Sequence, residues 1–111
     1  MNRTSDANLF RLELQLDPTR PVVGNNAAIL TVFDVRSGRV IEDAVIEIVP
    51  WMTIHGHGSP KIPSIQKTGN GRYVVSDIIY TMEGDWDLLF TIRYNKVADT
   101  ATFTVSDVKK K

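Results

Sequence analysis

The chain has 111 residues, 42% hydrophobic and 23% charged, with 13 lysines and arginines balanced by 13 aspartates and glutamates. That describes one domain with a single core, without the basic footprint of a nucleic-acid binder. Cysteine is absent, which removes disulfides, thiolate metal sites and cysteine nucleophiles, and no apolar run reaches the length of a membrane-spanning helix.

Residues 1–8 are polar and read as a disordered N-terminal tail without the apolar stretch of a signal peptide. "LFRLELQLD" then alternates, with Phe10, Leu12, Leu14 and Leu16 on one face, which predicts a half-buried strand. "DPTRP" and "VGNN" break it, and "AAILTVFDV", apolar on both faces, predicts a central strand. After the turn "RSGR", Ala44, Ile46 and Ile48 share a face; "SIQKTGNGRYVVSDI" has the glycines and asparagine of a hairpin. "DWDLLFTIRYN" places Trp86, Leu88, Phe90 and Ile92 on one side, and "TATFTVSDV" does the same for Ala101, Phe103 and Val105. About seven antiparallel strands with frequent turns and no helical periodicity predict an all-β immunoglobulin-like sandwich over residues 9–107, followed by a solvated basic tail at 108–111.

Enzyme constellations are missing, and no catalytic residue is assigned. The only histidines are His55 and His57, no Gly-x-Ser-x-Gly elbow occurs, and no glycine loop opens a helix. The irregular stretch is "PWMTIHGHGSPKIP", residues 50–63. In an extended segment His55 and His57 point to the same side, and Gly56 and Gly58 free the backbone to bend. Imidazole suits copper and zinc, and thioethers select Cu(I). Met52 precedes the histidines, and Met82 lies in "YTMEGDW". A fold that brings both loops to one end of the sandwich gathers His55, His57, Met52 and Met82 into a mixed nitrogen and sulfur set that favours Cu(I). A zinc or Cu(II) site using Glu83 or Asp85 is the less favoured variant. The alternative is structural: histidines bracing the loop, methionines filling core gaps, Trp51 anchoring the loop and Trp86 in the core. The domain would then dock within a membrane-associated assembly without metal.

The order "D-x-x-S-G-R-x-I-x-D-A-x-I", "P-W-M-T-I-H-G-H-G", "G-x-G-x-Y" and "M-E-G-x-W-x-L" over roughly residues 22–95 resembles the YtkA-like domain and its FixH-type relative. These are similar to the small extracytoplasmic β-sandwiches of the copper-resistance CopC type. The resemblance implies a periplasmic or other extracytoplasmic location and copper handling, or assembly of a copper-containing respiratory oxidase. It also implies a copper-donating or copper-accepting protein as partner, with no nucleic acid. Met52, His55, His57 and Met82 match the family's metal motif. Thr53 stands where the family commonly has proline, which is expected to loosen the loop, and the FixH-type membrane anchor has no counterpart in these residues, so any anchoring lies outside them.

Overall fold

The computed structural model describes residues 1–111. Nine strands form: β1 (Asn2–Thr4), β2 (Phe10–Asp17), β3 (Gly24–Asp34), β4 (Val45–Met52), β5 (His57–Gly58), β6 (Ser64–Gly69), β7 (Arg72–Tyr80), β8 (Gly84–Tyr94) and β9 (Val97–Val108). All pair antiparallel, in a sheet of order β1-β2-β3-β7-β6 and a second of order β5-β4-β8-β9. Without the short β1 and β5, the seven remaining strands have the ABED and CFG order of a constant-type immunoglobulin domain. The expected seven are therefore present, with two short strands added at sheet edges.

Alternation places the core where the sequence predicts it. Phe10, Leu12 and Leu14 from β2 face Trp86, Leu88, Phe90 and Ile92 from β8 within one cluster of 23 buried side chains. β3 is central in its sheet, as its two apolar faces require. Its outward Phe33 is covered by the Arg11 guanidinium, 4.0 Å from the ring centroid, a cation–π contact. Phe90 and Phe103 meet edge to face at 5.7 Å, a geometry that adds to their burial.

Two polar clasps join the sheets. The Tyr73 hydroxyl on β7 donates to Ile41 O at 2.7 Å and accepts from Ala44 N at 2.9 Å, holding the link between β3 and β4. Burial pushes the Tyr73 phenol pKa up, so it stays a neutral donor. The second clasp corrects the expected disordered tail at residues 1–8. Asn2–Thr4 pair with Arg11–Glu13, and buried Ser5 donates to Asp99 Oδ2 on β9 at 2.5 Å. The Ala7 and Leu9 amides also reach the Asp99 carboxylate. These polar residues are ordered by a partner 94 positions away, which local composition does not reveal. At the other end β9 runs through buried Val108, and Lys109 bridges Val22, so the basic tail is shorter than residues 108–111.

Candidate metal-binding site

The stretch at 50–63 begins as a continuation of β4. Alternation from Ala44 through Ile46, Ile48 and Pro50 carries Met52 to the inner face. Thr53–Gly56 then form a tight turn closed by Gly56 N donating to Met52 O at 2.8 Å. Gly56 takes φ +66, in the left-handed region where glycine is favoured. β5 returns with His57 opposite Met52 and Gly58 opposite Trp51. The two histidines therefore come together across a turn, and the extended geometry expected for them is replaced by a bend at Gly56. Gly58 answers a separate constraint: a Cβ there would lie 3.0 Å from Trp51 Cε3 and 3.2 Å from Pro50 O. Trp51 thus packs its half-buried indole on the glycine and anchors the loop.

Thr53 ties the loop down, contrary to the loosening expected from the missing proline. Its hydroxyl donates to Asp87 Oδ2 at 2.5 Å, and Asp87 Oδ1 accepts from Thr104 at 2.9 Å. Further along, Lys61 Nζ lies 2.9 Å from Asp77 Oδ2 on β7, and Asn25 donates to the other oxygen at 3.0 Å. The hydrogen bond and charge of Lys61, with the Asn25 amide, hold the Asp77 carboxyl below the usual carboxylate range. Asp87, Lys61 and Asp77 had no motif to announce them; each acts through a partner distant in sequence.

The second half of the site is the connection between β7 and β8, which carries Met82. The Trp86 indole N–H, rooted in the core, donates to Met82 O at 3.0 Å. Tyr80 stacks obliquely on Trp86 at 5.3 Å, and burial pushes its phenol pKa up. Held in this way, Met82 Sδ lies 3.1 Å from His57 Nε2. The His55 and His57 ring centroids are 6.0 Å apart and tilted by 32°. The His57 ring stands edge-on to Trp86, also at 6.0 Å.

The four candidate ligands thus fall into two groups. His55, His57 and Met82 share an accessible lip at one end of the sandwich, with Met82 39% exposed. Met52 is 1% exposed within the core cluster. Its Cε methyl lies 3.1 Å from the point where a Cβ on Gly84 would sit, and only its main chain is paired with the histidine segment. Glu83 and Asp85 turn elsewhere, accepting from Lys110 N and Asp107 N. No cluster of three or more His, Cys, Asp or Glu side chains forms, so the variant site built on these carboxylates does not assemble.

The fold and this end of it define an immunoglobulin-like β-sandwich with a histidine–thioether contact between two loops. The chain belongs to the YtkA-like family, whose model matches residues 5–90, beginning nearer the N-terminus than the motifs alone suggest. No curated protein sequence matches it. Among solved structures, a DUF4426 family protein from Pseudomonas aeruginosa PAO1 aligns with TM-score 0.70 at 7% identity, covering 100% of this chain and 98% of that one. FetP of uropathogenic E. coli strain F11, recombinantly expressed in the E. coli periplasm, aligns with TM-score 0.61 at 11% identity, covering 97% and 94%. A copper-bound glutamate-to-glutamine variant of FetP aligns with TM-score 0.59 at 11% identity, covering 97% and 95%. At these identities the likeness is one of fold.

Proposed function

We propose that this protein is a noncatalytic, extracytoplasmic copper-binding module whose cargo is held by His55, His57 and Met82. The observation that carries the reading is the approach of His57 Nε2 and Met82 Sδ to 3.1 Å from separate loops. At that separation, with the ring proton on Nε2, the pair forms an N–H···S hydrogen bond. An ion bound to both, at first-row distances of about 2.0 Å to nitrogen and 2.3 Å to sulfur, would set them about 3.5 Å apart. The pair therefore has to open by only a few tenths of an ångström as the proton on nitrogen leaves. At the tetrahedral angle two imidazoles on one ion have centroids about 5 Å apart, so His55 and His57, at 6.0 Å, close by about 1 Å to share it. Neither imidazole is tied to a backbone carbonyl.

A nitrogen–thioether set suits Cu(I), and membership in the YtkA-like family and the fold shared with copper-bound FetP support copper. Exposed donors on loops also suit a carrier, because a partner's ligands can reach the ion before release. That partner is a copper-donating or copper-accepting protein, and assembly of a copper-containing oxidase is one process that uses such a carrier. Met52 contributes packing beneath the site in this reading.

Titration with Cu(I) under reducing conditions tests the proposal and should give one ion per chain. Equal affinity in a His55→Ala/His57→Ala double variant would remove these ligands from the assignment. The rival reading, an interaction domain without metal, treats the His57–Met82 contact as a plain loop brace. It gains if Cu(I) fails to bind while the double variant loses thermal stability.

A further inference from the structure

The three methionines differ sharply in access. Met52 is 1% exposed, Met82 39% and Met1 50%. Only Met82 has its sulfur against a ring nitrogen, and its main chain is pinned by the Trp86 indole N–H. From this arrangement we infer that Met82 is a reversible oxidation site through which a peroxide closes the candidate centre. The closing effect rests on the copper reading; the selectivity of the oxidation does not.

The step is a two-electron oxygen transfer. The thioether sulfur attacks one oxygen of hydrogen peroxide, the O–O bond breaks and an S–O bond forms. The proton on the transferred oxygen passes to the departing hydroxide, which leaves as water. Sulfur is oxidised and peroxide is reduced, so no further reactant is needed. The product is a sulfoxide, polar and reducible back to the thioether by enzymes of the methionine sulfoxide reductase class.

Two consequences follow at this site. The soft donor that selects Cu(I) is replaced by a hard oxygen. The new oxygen is also a far better hydrogen-bond acceptor than a thioether sulfur, and it forms within reach of His57 Nε2–H. One oxygen atom therefore removes the sulfur ligand and occupies the neighbouring nitrogen. Met52, sealed under Gly84, is spared, so the core stays intact while the lip changes chemistry.

The test treats the folded protein with hydrogen peroxide and follows each methionine by peptide mass spectrometry, with ring ¹⁵N spectra of His57 and Cu(I) competition titrations in parallel. Met82 should gain one oxygen while Met52 remains unmodified, with exposed Met1 as the internal reference. The His57 ring resonances should shift, and Cu(I) affinity should fall by about tenfold or more, the scale on which metal sites respond to a lost partner. Methionine sulfoxide reductase should restore both, and a Met82→Leu variant should bind weakly with or without peroxide. Oxidation of Met52 as fast as Met82, or an unmoved His57 ring, overturns the inference. So does unchanged affinity in oxidised protein whose untreated form binds Cu(I). Failure of untreated protein to bind Cu(I), with selective oxidation and a shifted ring, instead removes the copper reading and reduces the inference to a modification site.

Discussion

The Asp99 clasp gives the most quantitative prediction. The carboxylate is 7% exposed and receives the Ser5 hydroxyl at 2.5 Å, the Ala7 amide at 3.0 Å and the Leu9 amide at 3.4 Å, besides its neighbour Thr100 N at 2.9 Å. Replacing Asp99 with alanine strands these donors, of which the Ser5 hydroxyl is buried and the Ala7 amide is near enough to the surface to recruit water. Hydrogen bonds to a charged group are worth about 1.5–3 kcal/mol each and do not add fully, so the expected loss is about 3 kcal/mol. In a domain of this size that lowers Tm by on the order of 15 °C. Asp99→Asn keeps one acceptor and should lose about half as much.

The pH dependence carries its own sign. Burial raises the Asp99 pKa, but the hydrogen bonds from Ser5, Ala7, Thr100 and Leu9 outweigh it and hold the group below its ordinary 3.8. A folded value below the unfolded one means the contribution is complete above about pH 4 and is lost as the pH falls through the folded value. Urea unfolding of wild type and Asp99→Ala at pH 7 and at successively lower pH measures both the size and the convergence. A difference under about 1 kcal/mol at pH 7, or one that persists unchanged in strong acid, would refute the assignment of the clasp to the carboxylate.

Other substitutions separate the remaining contacts. Met82→Leu should weaken Cu(I) binding by about tenfold or more, whereas Met52→Leu, a volume-conserving change in the core, should leave affinity nearly unchanged and cost under about 1.5 kcal/mol; competition titrations and thermal melts distinguish them. Tyr73→Phe strands the buried Ala44 amide and should destabilise by about 1–3 kcal/mol in urea, with Cu(I) affinity unaffected. Gly58→Ala forces a Cβ against Trp51 and Pro50 and should cost about 1–3 kcal/mol, with a shift in Trp51 fluorescence as its local signature. Asp87→Ala frees Thr53, and amide hydrogen exchange should rise across residues 53–57 while the strands stay protected.

The long strands were legible because each has an apolar face that the facing sheet buries. β2 and β8 are the plainest, alternating over most of their length. β1 was not legible, since "NRT" has no pattern of its own and owes its place to Asp99 through Ser5 and Ala7. β5, two residues long, is too short for any periodicity. Met52 is the instructive residue: it extends the same period-two face as Ala44, Ile46 and Ile48, and that pattern already places it inside. Pro50 obscures the continuation, although a proline is tolerated where β4 lies near the sheet edge. The motif picked out four side chains by type, and the pleat of β4 sorted one of them away from the others.

The connection that carries Met82 leaves the first sheet at Tyr80 and enters the second at Gly84, while His57 belongs wholly to the second sheet. Trp86 of that same second sheet pins the Met82 carbonyl, so the gap between nitrogen and sulfur is set within one layer, between the β7–β8 crossover and the β5 return. An ion gripped by both side chains would rivet the crossover to the turn after β4, and melting temperature would climb with the free metal concentration as mass action requires.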